Sequence, residues 1–247
     1  MARSRPHIPE ISVPAASAGN MLRAPDPKPR GQMGRDVYGS IRSAILECTF
    51  LPGMALSEQA VSDELQVSRA PVREAFRQLV VEGLLETIPQ RGTFVSRLSR
   101  ARIADAIFVR EVIECKAAEL AVRAPLAERR ALGKILRQQA SASARKDYAA
   151  HLSADEEFHH QILILANHPH AWSALRLART GMNRIRHLAI PELGSNTIAI
   201  DQHEVVVQAI VAGDAHAASQ AMRVHIQSPL MFLDAIHARC PHYFEPE

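Results

Sequence analysis

A chain of 247 residues, 47% hydrophobic but only 4% aromatic, suits one large domain or two modest ones, with Leu, Ile, Val and Ala supplying the core. Its formal net charge of +3 permits an anionic partner without demanding one. Cys48, Cys115 and Cys240 are odd in number and far apart, which disfavours a disulfide framework or a zinc finger. With no secretory leader and no apolar run of about 18 residues, the sequence reads as cytoplasmic, neither secreted nor membrane-spanning.

Residues 1–33 hold six of the fifteen prolines and five basic residues, with little periodic apolarity. They read as a disordered arm, either touching DNA phosphate or serving as a plain leader. From Asp36 the pattern becomes helical. "DVYGSIRSAILE" puts Val37, Ile41, Ala44 and Ile45 on one face. "LPGMAL" reads as a loop. Ser57 is a plausible N-cap for a helix with Ala60, Val61 and Leu65 on its stripe. Ser68 caps a third, in which Pro71 falls in the tolerant first turn and Val72, Ala75, Phe76 and Leu79 face inward. "LLETIPQRGTFVSRL" predicts two short strands around a Pro-Gln-Arg-Gly turn.

After Leu98 no strand signal returns. Helices are expected over 100–124, 127–143, 147–166, 169–189, 196–212 and 215–238, broken at Pro125, at Asn167-His168-Pro169, between Pro191 and Ser195, and at Gly213-Asp214. The expected fold is mainly α: a winged helix-turn-helix domain over 34–98, then an all-α antiparallel bundle of six or seven helices over 99–240.

Arg69, Arg73 and Arg77 lie four apart, opposite the apolar stripe of the third helix, and Arg91 and Gly92 mark the hairpin tip. Arginines near a helix start suit phosphate and guanine edges in a major groove, and a hairpin tip suits the backbone or minor groove. The plain alternative is a solvated basic face. "LPG", "LSEQ", "VSRAPVREA", "EGLL" and "RGTFV" resemble the N-terminal domain of GntR-family transcription regulators over about fifty residues. That resemblance implies DNA contacts from Ser68, Arg69 and Arg73, with Arg91 and Gly92 in the wing. Two positions depart from it: Gln59 stands where some members carry a contacting arginine, and Gln66 occupies a turn position often filled by Gly.

Eleven of the twelve histidines fall between His151 and His242. Asp155 and His159 are one turn apart on one face, which allows half a metal site, a catalytic pair or a surface ion pair. Their neighbours Leu152, Ile162 and Leu163 turn that face toward the core. His203 lies with Val206, Val207 and Ile210, and His225 with Ala218, Ala221 and Met222. An inward Asp with three inward imidazoles needs compensation, since burying such groups unpaired costs several kcal/mol; a divalent metal supplies it, while a hydrogen-bonded core histidine remains the plain reading of each alone.

The body also resembles the FCD domain that partners such heads in the FadR subfamily, through "FVREVIECKAAELA", "DEEFHHQIL" and "DQHEVVVQAIVAGDAHAASQAMRVHI". The resemblance implies a divalent metal held by Asp155, His159, His203 and His225, with Zn first and Ni or Mn as alternatives. Positions left open on it would take water or a carboxylate. Arg110 is the first candidate counter-charge for such an effector, or else an i,i+4 partner of Glu114; Arg184 and Arg186 are further candidates. The expected protein is a homodimeric repressor on a pseudo-palindromic operator in double-stranded DNA, controlled by a small organic acid and making no membrane contact. A DNA-binding regulator with a purely structural metal is the alternative. A metal-dependent hydrolase or lyase is disfavoured: Glu156 and Glu157 point away from Asp155, and no separate nucleophile, oxyanion pocket or phosphate loop is visible.

Overall fold

The computed structural model describes Leu22, residues 30–193 and residues 195–246. Most of the expected arm over 1–33 lies outside them. Two compact units form, one from Leu22, 30–100 and 237–246, the other from 101–236.

The first unit opens with α1 (Arg30–Leu46), six residues before Asp36, and buries Val37, Ile41, Ala44 and Ile45 as their spacing predicts. In α2 (Glu58–Leu65) the Ser57 hydroxyl accepts from the Ala60 N–H. Val61 and Leu65 are buried, but Ala60 is exposed and Ser62 takes the inward place, its hydroxyl donating to the Glu58 carbonyl at 2.5 Å. A small polar side chain with a local acceptor can be buried at little cost, which an apolar stripe count overlooks. Gln66 ends α2 at φ 54°, in the left-handed region, where glycine is the unstrained choice.

The next helix, α3 (Arg69–Val81), buries Val72, Ala75, Phe76 and Leu79. The hairpin β2 (Leu85–Ile88) and β3 (Gly92–Val95) follows in antiparallel register, Glu86 opposite Phe94, with Gln90 at φ 62° and Gly92 at φ 110° making the turn. The stretch read as a loop contains a third strand. Ala55–Leu56, β1, pairs with β3, giving the sheet order β1-β3-β2. Two residues are too few to show alternation, so only the pairing reveals them.

The end of the chain belongs to this unit. The Leu98 N–H donates to the Tyr243 carbonyl at 2.8 Å, and the Glu245 N–H to the Leu98 carbonyl at 2.9 Å. Cys240, Tyr243 and Phe244 are buried there.

The helical unit begins along α4 (Arg100–Arg110), a π-helical turn (Glu111–Cys115) and α5 (Lys116–Ala121), in place of one regular helix over 100–124. The wider turn admits an extra residue, a device common at functional sites, and both Arg110 and Glu114 are buried beside it. Then come α6 (Leu126–Ala144), α7 (Tyr148–Leu165), α8 (Trp172–Leu193) and α9 (Ser195–Ala212). Arg129 of α6 donates to the Ile210 and Val211 carbonyls at 2.8 and 3.1 Å, satisfying acceptors that the end of α9 leaves open. Asp214 caps α10 (Ala215–Gln227). The helix expected over 215–238 is broken: α11 (Leu230–Arg239) starts anew after Ser228-Pro229. Pro229 has no N–H for the His225 carbonyl four residues back, and the Ser228 hydroxyl donates to that carbonyl instead at 2.9 Å.

Candidate functional site

In the first unit, Arg69, Arg73 and Arg77 lie exposed on α3 with Ser68 exposed just before it, and Arg91 and Gly92 are exposed at the hairpin tip. Ser68 stands at the N-cap position but makes no side-chain cap bond, so its hydroxyl is not spent on the helix. Arg69 and Arg73 both lean on one carboxylate: Glu58 Oε2 is 3.6 Å from Arg69 Nη2 and 3.1 Å from Arg73 Nε. Arg77 pairs with Glu74 at 2.6 Å. Exposed pairs of this kind are worth about 0–1 kcal/mol, so they orient the guanidinium groups without holding them from another anion. Gln59 reaches Asp63 at 2.7 Å.

The second unit brings together a different kind of site. From α7, residues 151, 155, 158, 159 and 162 share one buried face, which carries Asp155 and His159 inward. His203 on α9 and His225 on α10 are fully buried against them. One ligand atom from each of Asp155, His159, His203 and His225 lies within 4.8 Å of all the others. His225 Nε2 is 3.1 Å from His159 Nε2 and 3.2 Å from His203 Nε2. Asp155 Oδ1 is 3.6 Å from His203 Nε2, and Oδ2 is 3.9 Å from His159 Nε2.

The opposite side of each ring explains what this convergence means. His159 Nδ1 faces the Glu114 carboxylate. His203 Nδ1 lies 2.9 Å from Gln139 Oε1, and His225 Nδ1 lies 3.3 Å from Gln202 Oε1. Each of these oxygens accepts, so each Nδ1 carries the ring proton and each Nε2 presents a bare lone pair. Bare nitrogens only 3.1 and 3.2 Å from that of His225 repel it unless a cation sits among them. Two nitrogens bound to one metal at about 2.0–2.1 Å stand roughly 3.0–3.4 Å apart, which matches the separations here. Outer partners that fix the tautomer and orient the ring are the usual support of metal-binding imidazoles.

Electrostatics agree. Burial pushes His159 down to about 4, and burial holds His203 and His225 well below the ordinary imidazole range, so all three rings are neutral at pH 7. Burial alone would raise Asp155; the Arg186 and Arg179 guanidinium groups outweigh it and keep the carboxyl ionised. Glu114 is likewise held ionised by Arg110 and His159 against its burial.

Arg110, buried, donates to Glu114 at 2.6 Å. Arg186 donates to Asp155 and lies 3.3 Å from His225 Nε2. Arg184 is buried on the same helix but is not among the residues lining the nearby cavity. Arg179, unnoticed in the sequence, donates to Asp155 at 2.6 Å. It lies seven residues before Arg186, two turns along the same face, and that spacing could have found it. Of these, Arg110, Arg179 and Arg186 face the two carboxylates Asp155 and Glu114, a net charge of +1 among those five groups before any metal is counted. His160 turns away from the cluster and stacks on Trp172 with ring centroids 5.1 Å apart.

Beside the cluster lies a cavity of about 20 Å³, lined among others by His151, Asp155, Arg186, His225, Pro229 and Phe232. That is room for about one water molecule.

Two family models match the chain: bacterial regulatory proteins of the gntR family over residues 34–95, and the FCD domain over residues 105–228. An HTH-type transcriptional regulator in an unstable DNA locus of Streptomyces ambofaciens is 34% identical, over 85% of this chain and 89% of its own. The HTH-type transcriptional repressor RspR of Escherichia coli K12 is 31% identical, over 81% of this chain and 88% of its own. A solved GntR transcriptional regulator from Rhodococcus sp. RHA1 superposes with a TM-score of 0.69 at 25% identity, covering 83% of this chain and 99% of that one.

Proposed function

The chain belongs to the GntR family, in the arrangement that joins a winged helix-turn-helix to an FCD domain, and is a DNA-binding transcriptional regulator and not an enzyme; from that premise we propose that it is a repressor whose operator affinity is set by a small organic acid bound beside a metal ion. One observation carries this reading: three neutral imidazoles and one carboxylate converge in a buried cluster that already has surplus positive charge. A divalent ion held by Asp155, His159, His203 and His225 deepens that surplus, and an anion is the ligand that relieves it. The bound ion supplies a Lewis-acidic anchor for a carboxylate; Zn suits the nitrogen-rich set, with Ni or Mn as alternatives.

The chain's own residues do the rest. Glu114, Gln139 and Gln202 hold the rings in the ligating tautomer. Arg186, at the cavity wall, is the counter-charge for the acid. Arg110, tied to Glu114, acts on the acid only through the field it adds. The cavity is too small for most acids, so entry displaces its wall, and Pro229 and Phe232 at the α10–α11 break are part of that wall. The chain then runs from α11 into residues 237–246, which belong to the DNA-binding unit. On the head, Ser68, Arg69, Arg73 and Arg77 approach the major groove while Arg91 and Gly92 follow the backbone or minor groove. A homodimer reads a pseudo-palindromic operator.

The small cavity favours a second reading, a purely structural metal. A thermal-shift screen of organic acids, with and without chelator, separates the two. Acid stabilisation that vanishes with chelator supports the sensor; stabilisation by metal alone, indifferent to every acid, supports the structural ion.

A further inference from the structure

The two stretches that carry the chain between its units lie outside both family matches, which cover 34–95 and 105–228. The chain passes once at 100–101 and once at 236–237. Each passage falls inside a helix, the first in α4 (Arg100–Arg110) and the second in α11 (Leu230–Arg239). Linked units move against each other by default, most freely where flexible loops join them, and neither passage is a loop. The ends of these helices that belong to the DNA-binding unit are, moreover, tied to each other. Leu98, two residues before α4, pairs in parallel with Phe244: its N–H donates to the Tyr243 carbonyl at 2.8 Å, and its carbonyl accepts from the Glu245 N–H at 2.9 Å. The Phe244 ring is 4% exposed and meets one residue from each helix. The His237 ring stands perpendicular to it with centroids 4.8 Å apart, and the Arg100 guanidinium lies 6.0 Å from its centroid. Cys240 and Tyr243 are buried beside it in sequence.

We propose that residues 240–245 are a latch that determines which half-site spacing the protein accepts. By holding the start of α4 beside the end of α11, the latch gives each DNA-binding unit of the homodimer a single direction. This rests on the homodimer reading above and adds what sets its register on DNA. Two binding modules joined stiffly have a high effective concentration at one separation and a low one elsewhere; a loose joint lowers the peak and spreads it. One added base pair moves a half-site by about 3.4 Å and turns it by about 34°, a change that a stiff joint registers and a loose one absorbs. The latch acts on DNA only through the residues it positions.

The test is fluorescence anisotropy of the full chain on three kinds of duplex. These are an operator selected from random sequences, its derivatives with one or two base pairs added between half-sites, and a single half-site. Glu245→Pro removes the N–H that Leu98 accepts from, and Phe244 at ψ 155° already has the extended backbone that precedes a proline. Glu245→Ala keeps that donor. The intact and Glu245→Ala proteins lose about tenfold or more in affinity per added base pair, while Phe244→Ala combined with Glu245→Pro loses less than about threefold. A destabilised DNA-binding unit weakens binding to every duplex alike and leaves that profile steep; only lost positioning flattens it. A profile as steep in the combined variant as in the intact protein overturns the latch alone. So does an intact protein that prefers two half-sites to one yet accepts every spacing. A flattened profile in Glu245→Ala assigns the effect to the carboxylate and overturns the main-chain latch. If the intact protein binds one half-site as tightly as two, the homodimer reading falls and the latch with it. Should the combined variant fail to fold, Glu245→Pro alone decides, and a profile there as steep as the intact one overturns the proposal.

Discussion

The arginines of the head and the arginines of the body illustrate two ways a protein can carry charge. Arg69 and Arg73 are more than half exposed and rest against a single surface carboxylate, so their placement costs almost nothing and leaves them open to another anion. Arg110, Arg179 and Arg186 are buried, and each is matched to Asp155 or Glu114. Removing one partner there strands a charge away from water. Exposed charge is therefore free to recognise; buried charge is committed to a network, and a ligand acts on it only by rebalancing the whole set.

Bound metal is the most sensitive readout of the buried set. His203→Ala with His225→Ala takes bound divalent metal from about one per chain to none by elemental analysis, since two of four ligands are gone; retained stoichiometric metal refutes the site. Next in size, Asp155→Ala leaves Arg179 and Arg186 without their shared carboxylate. It should cost about 3–5 kcal/mol in denaturant unfolding of the body, and a loss below about 1 kcal/mol would mean the network is not a buried, matched set. Arg69→Ala and Arg73→Ala are the mirror case. Each weakens operator binding about tenfold and flattens its salt dependence, while stability moves by no more than about 0.5 kcal/mol. Unchanged affinity in both sinks the head assignment.

The smallest effect is on pH. Burial lowers the three cluster imidazoles below their unfolded value of 6.5, His159 to about 4. The native state therefore binds fewer protons than the unfolded one, and stability is full above pH 6.5 and lost as pH falls toward 4. Asp155 and Glu114, also lowered, add to the loss at still lower pH. A chelated sample should hold its melting temperature from pH 8 to 7 and lose it steadily below; a flat profile down to pH 4.5 contradicts buried neutral rings.

The exposed region was the easier to read from residues. Stripes such as Val72, Ala75, Phe76 and Leu79, and the Pro-Gln-Arg-Gly turn, are local signals, and the helices and hairpin form where those signals lie. The inward placement of Asp155, His159, His203 and His225 was also legible, because each sits on an apolar face of its own helix. Their partners were not. Glu114, Gln139 and Gln202 come from other helices and carry no periodic mark; only packing brings them to the Nδ1 atoms. The break at Pro229 was visible as a proline but was overrun by a strong helical pattern on either side. The pairing of Leu98 with Tyr243 and Glu245 joins residues nearly 150 apart, beyond any local signal.

In the proposed regulation the buried cluster governs the exposed arginines of the head. Fluorescence anisotropy of a labelled operator, with the full-length protein either metal-loaded or chelated and titrated with organic acids, tests it directly. At least one acid should shift operator affinity about fivefold or more in the loaded protein and by nothing in the chelated one. An acid response of equal size in both samples, or none in either across the panel, would contradict it.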